Sequence, residues 1–140
     1  LFSMQEFAKA EESWAQARAM DESLQVPVLS GAWMEMKAGR LEAAERLFRE
    51  AAADEESAAC GLVGLGCVAM ARQDLRAARE RFLEALAKEP RMPEALFEMA
   101  LSYLAEGNAA EAERWGRKLE QTAEGHPLVE TLAKAMGKPA

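Results

Sequence analysis

A chain of 140 residues, half of them hydrophobic but only 6% aromatic, has the length for one domain with a continuous core. Five prolines and nine glycines exclude a collagenous or disordered chain, and the short apolar stretches broken by charge exclude a membrane-spanning helix. The net charge is −7, and Arg46, Arg49, Arg72, Arg76, Arg79 and Arg81 are scattered among acids as on a solvated helix face, so nucleic acid is not the expected ligand.

A fixed period organises the chain. Ala10, Ala44, Ala78 and Ala112 stand 34 residues apart (44−10, 78−44 and 112−78). An aromatic follows three of them by four residues: Trp14, Phe48 and Phe82. A small residue follows the same three by seven: Ala17, Ala51 and Ala85. A period of this length marks an array of helical hairpins, each burying one face on its neighbour.

In chain order, residues 1–24 read as a partial repeat. Residues 4–20 carry Phe7, Ala10, Trp14 and Ala17 in the register of a second helix, with Ser3 and Glu6 at capping-box spacing, but their own first helix is missing. Together with a first residue Leu1 in place of Met, this is expected of a fragment or a processed form, and leaves a removed signal or leading domain open. The first full unit spans residues 25–58. Pro27 suits a helix start, Gly39 a left-handed stop, and Leu41, Ala44, Leu47, Phe48 and Ala51 form one stripe of the second helix.

The second unit spans residues 59–92, with Leu62, Leu65, Gly66 and Ala69 on its first helix, Asp74 as cap, and Leu75, Ala78, Phe82 and Ala85 buried before Pro90. The third spans residues 93–126, with Leu96, Met99, Ala100 and Tyr103, a turn at Gly107 and Asn108, and Glu111 placed for a reciprocal cap. Residues 127–140 form a last helix and tail. Leu128, Val129, Leu132 and Met136 lie on one side, as the open end of an array requires.

Cys60 and Cys67 lie seven apart on one predicted helix, roughly 10 Å at 1.5 Å per residue. That is beyond disulfide reach, so they are expected as free thiols in a reducing, cytoplasmic setting. Zinc would need two more ligands, and the one histidine, His126, is remote and reads as a capping or linker residue before the helix start at Pro127. No nucleophile is paired with a base and no Gly-rich phosphate loop is present, so no enzyme, no cofactor and no metal are expected. The pairs Glu42 and Glu45, and Glu55 and Glu56, read as solvated helix ends.

The columns Leu62, Leu65, Gly66, Ala69, Ala78, Phe82, Ala85 and Pro90, with Leu96, Ala100, Tyr103, Gly107 and Ala112 in the third unit and Ala32, Gly39, Ala44, Phe48 and Ala51 in the first, resemble the tetratricopeptide repeat family over nearly the whole chain. Glu35, Gly116, Leu119 and, where a turn glycine is common, Gln5 and Gln73 depart from its pattern. The resemblance implies an all-α fold: a right-handed superhelical stack of antiparallel helix hairpins, a solenoid closed by a C-terminal capping helix.

It further implies that the first helix of each hairpin, helix A, lines a concave face. Carried onto this chain, that face is Val26, Leu29, Trp33, Met36 and Lys37, then Cys60, Val63, Cys67 and Met70, then Glu94, Phe97, Glu98, Leu101 and Leu104. None of these is expected to point into the core between helix A and helix B. The face is mostly apolar and lacks the basic residues with which chaperone-binding members hold a C-terminal carboxylate, Lys37 excepted. The expected role is a non-catalytic protein-interaction scaffold whose groove holds an apolar or amphipathic peptide or helix, unless the chain or a second copy covers it. The alternative is a structural or oligomerisation segment of a longer solenoid, or an appendage of an enzyme domain. Leu1, Phe2, Met4, Phe7 and Trp14, stranded at the cut edge, are expected to drive a homodimer there or to fold back over it.

Overall fold

A computed structural model describes residues 27–137, and the expected partial repeat at residues 1–24 lies outside them. The described residues form seven α-helices and no strand: α1 (Pro27–Lys37), α2 (Leu41–Ala53), α3 (Ala58–Ala71), α4 (Leu75–Lys88), α5 (Pro93–Glu106), α6 (Ala109–Thr122) and α7 (Pro127–Ala135).

The three hairpin turns are the same turn. Gly39, Gln73 and Gly107 are 34 residues apart and all have left-handed backbone, with φ of 81°, 64° and 86°. The following amide donates back to a carbonyl five residues earlier: Arg40 to Glu35, Asp74 to Ala69, and Asn108 to Tyr103, at 2.9, 2.9 and 2.8 Å. This is the Schellman closure, which satisfies carbonyls a helix end would leave bare. Glycine enters this conformation freely, whereas Gln73 enters it against its own Cβ. The next helix is then capped by side chains in two of the three units. Asp74 accepts from the Ala77 N–H at 3.1 Å, and Asn108 accepts from the Glu111 N–H at 3.2 Å. The return half of the expected reciprocal cap is replaced by a pair between Glu111 and Arg114. His126 caps α7, its Nδ1 accepting from the Leu128 N–H at 3.1 Å.

Each hairpin pairs its two helices: α1 with α2, α3 with α4, and α5 with α6. Successive hairpins dock through α2 on α3 and α4 on α5. The first helices also touch one another, α1 with α3 and α3 with α5, whereas among the described helices no second helix touches another second helix. The layer of first helices is thus the tighter one, and the stack curves with that layer on its inner, concave side.

Small residues set how closely the layers approach. Ala44, Ala78 and Ala112 are all fully buried, as are Phe48 and Phe82. A Cβ added to Gly64 would fall 2.1 Å from the Phe48 ring, and one on Gly66 2.3 Å from the Phe82 ring. A Cβ on Gly61 would meet the α2 backbone itself, 2.5 Å from the Ala52 N. The third unit solves the same problem differently. Gly116 stands where the other units have an aromatic, and Leu132 of the capping helix fills the space, 3.2 Å from where a Cβ on Gly116 would lie. Trp115 beside it stays half-buried under Lys118. Glu35, on a helix position usually apolar, pairs with Arg40 across the turn, and the guanidinium holds its carboxyl below the usual carboxylate range.

Gly64→Ala, like Ala78→Leu, should lower stability by roughly 1–3 kcal/mol in urea or thermal unfolding, because a rigid buried ring or helix must move. Gly116→Ala meets only the tip of a flexible leucine and removes a helix-interior glycine, so it should be neutral or stabilising by up to about 1 kcal/mol. Gln73→Gly should also stabilise, by roughly 1 kcal/mol or less, since it relieves a left-handed residue at the cost of a looser unfolded chain.

Candidate functional site

The residues expected on the concave face fall into repeat columns. Leu29, Val63 and Phe97 form one, and Trp33, Cys67 and Leu101 form the next; all six are buried. Met36, Met70 and Leu104 form a third, in which Met70 is buried and the outer two are half-buried. Cys60 is half-buried, and its counterpart Glu94 is buried. Glu98 is fully buried beside Glu94 on the same helix. Lys37 is exposed, and Val26 lies outside the described residues. The columns are therefore brought together on the inner layer, but as buried side chains.

One expectation is corrected by this geometry. Trp33 is not independent of the hairpin core: its ring meets Phe48 edge-on with centroids 4.8 Å apart, and it is 4% exposed. The indole is long enough to reach from the inner face of α1 to the aromatic wedge on α2. Truncating it would therefore disturb the hairpin as well as the face. Gly64 makes the same point from the other side, since its column faces the Phe48 ring rather than solvent.

The two cysteines are free thiols, as their spacing requires. Among the described residues no cluster of His, Cys, Asp or Glu could hold a metal ion, and no helix is long and apolar enough to cross a membrane.

Sequence reasoning missed one polar assembly. Arg79 on α4 donates from Nε to Ser102 Oγ at 3.0 Å and from Nη2 to the Ser102 carbonyl at 3.3 Å. The same guanidinium pairs with Glu106 at 3.1 Å and lies 4.0 Å from the centre of the Tyr103 ring. Arg79 was grouped with solvated arginines by its neighbours in sequence, yet it pins the second hairpin to the third. The signal that could have found it is Ser102, a polar residue on the side of α5 that faces the preceding hairpin. Around it, the expected ladder of exposed pairs is present, as in Arg49 with Glu45 and Lys134 with Glu130.

Comparison with known proteins agrees with this architecture. Residues 63–127 match the tetratricopeptide repeat family. The chain is similar in structure to the type III secretion chaperone SycD of Yersinia enterocolitica, solved in complex with a peptide of the translocator YopD. The TM-score is 0.64 over 83% of this chain and 88% of that one, at 20% sequence identity, a likeness of fold. No curated protein matches the sequence.

The Arg79 assembly predicts a definite cost. Arg79→Ala should lower stability by roughly 1–3 kcal/mol, having removed a charge-assisted bond, a ring contact and the partner of Ser102. Arg79→Lys should recover only part of it, because an ammonium cannot serve Ser102, Glu106 and Tyr103 with one planar fork.

Proposed function

Taking the tetratricopeptide repeat as the architecture of this chain, we propose that it is a non-catalytic protein-binding scaffold whose concave face receives an apolar or amphipathic helix or peptide. The observation that carries this reading is the pair of apolar columns Leu29, Val63, Phe97 and Trp33, Cys67, Leu101, which run unbroken across three successive helices of the inner layer. The packing between the two layers is supplied by other columns, above all Ala44, Ala78, Phe48 and Phe82. A continuous apolar face that most of the hairpin contacts do not require is a surface for something else. Met36, Met70 and Leu104 border it with adaptable side chains.

SycD bound to a translocator peptide supports a peptide as the class of ligand. Charge narrows the class. Glu94 and Glu98 on the face disfavour a ligand that presents a carboxylate there, and favour one with a basic residue on its apolar side. The free thiols accord with a reducing compartment, and we place the protein in the cytoplasm on that basis. A homodimer through the N-terminal edge belongs to the same proposal. It is supported there by Met34, a large apolar side chain 67% exposed on α1.

The test uses a fluorescein-labelled synthetic helix with leucines at i, i+3, i+4 and i+7 and lysines between them. Its binding should weaken at least tenfold in Met36→Ala with Leu104→Ala, both half-buried at the border of the face, while helical circular dichroism is kept. A peptide ending in an acidic carboxylate should bind more weakly than the lysine-rich helix. Equal binding of both peptides, or indifference to the double substitution, would sink the reading. Sedimentation tests the edge: a dimer that Met34→Glu does not dissociate is not held there.

A further inference from the structure

We propose that the crevice between the outer helices α2 and α4 is a second docking site, which takes a tyrosine side chain from a partner protein. It lies on the opposite side of α3 from the concave face and does not depend on that face binding anything.

The crevice follows from the architecture. Among the described residues successive outer helices do not touch, so side chains must fill the space between them above each inner helix. Between α2 and α4 that space holds a cavity of about 300 Å³, lined in part by Leu65, Val68 and Ala69 of α3 and Ala77 of α4. Leu65 is two residues on from Val63, about 200° round the helix, so the cavity opens on the convex side. Its volume stands at the lower end of small ligand sites, with room for a side chain rather than a helix.

The next unit shows what fits. Adding 34 to Ala69 and Arg81, two residues of the lining, gives Tyr103 and Trp115. There the Tyr103 ring is half-buried, with the Arg79 guanidinium 4.0 Å from its centre. The second unit has only a methyl group at Ala69, yet it keeps the cation. Glu45 and Arg72 are the columns of Arg79 and Glu106, and they pair at 3.3 Å as those do at 3.1 Å, with the charges exchanged. The cavity is thus the place that an aromatic side chain fills one unit on, with a guanidinium still beside it.

Charge selects the ligand. A guanidinium is attracted to the face of an aromatic ring, and the lining supplies two, Arg72 and Arg81. Two carboxylates, Glu45 and Asp74, share the same lining and bring its net charge to zero. Arg72 is moreover paired with Glu45 and Arg81 with Glu84. A carboxylate or phosphorylated side chain therefore gains no net attraction, and an aliphatic one offers the guanidinium groups nothing. A neutral ring with a polar tip answers both, its face against the arginines and its hydroxyl donating to the half-exposed Glu45.

The test uses the full chain and the peptide acetyl-Gly-Gly-Tyr-Gly-Gly-amide at millimolar concentration, followed by amide chemical shifts. The resonances of residues 65–72 and 77–81 should move. The same peptide with leucine for tyrosine should bind roughly threefold or more weakly, as should the tyrosine peptide to Arg81→Gln. Ala69→Tyr writes the third unit's residue into the crevice. It should weaken the tyrosine peptide roughly tenfold or more, with the urea midpoint unchanged or raised. A lowered midpoint in that variant would mean that the crevice does not admit a ring, and would overturn the proposal without any ligand. No shift at millimolar peptide, shifts confined to the concave columns, or equal binding of the leucine peptide would do the same. So would binding of free p-cresol without the peptide, since the occupant would then be a small phenol and not a protein side chain.

Discussion

The distance between the two helix layers governs the rest of this structure. It is set by alanines at one column, by glycines on α3 that admit an aromatic ring, and by the rings themselves. Phe48 and Phe82 can be fully buried only because Gly64 and Gly66 leave room for them. Burial of each ring is worth about 1.5–3 kcal/mol relative to exposure, comparable to a sizeable fraction of a small domain's stability. With the outer helices held apart by these wedges and the inner helices in contact, curvature follows, and curvature makes one face concave. The candidate binding surface is thus a by-product of how the hairpins dock.

Polar groups serve the same docking. Arg79 reaches from one hairpin to a buried serine of the next, where the low local dielectric strengthens the bond and makes its loss costly. Elsewhere charged residues form exposed pairs such as Arg76 with Glu80, each worth little alone. The carboxylates of Glu94 and Glu98 differ from these, since they lie on the inner layer and are buried. Ionised groups are tolerated at such depth only when something complements them. That requirement links the chemistry of the face to the chemistry of whatever lies on it.

The third unit shows how much a repeat can depart from its pattern. Gly116 and Leu119 exchange the large and small positions held by Phe82 and Ala85, and Leu132 from the capping helix fills the vacated volume. Leu119 is fully buried in return. Total volume is conserved although the residues carrying it have moved, which is what cores tolerate. The sequence period does not reveal this, because a compensating residue on another helix, Leu132 for Gly116, leaves no periodic trace.

The sequence by itself determined the period, the hairpins, the turn glycines, the caps at Asp74, Asn108 and His126, and the buried columns from Ala44 to Phe82. These are legible because packing between neighbours in a regular array imposes the same residue type every 34 positions. It also singled out which columns would line the inner layer. Only the tertiary structure decided that two of those columns are buried, that Trp33 is shared with the hairpin core, that Arg79 is a half-buried pin between hairpins, and that Met34 is bare where Val68 and Ser102 are not. Exposure is a property of what lies opposite a side chain. Residues of one column have the same local sequence logic, and they differ only in whether another part of the chain comes to rest against them.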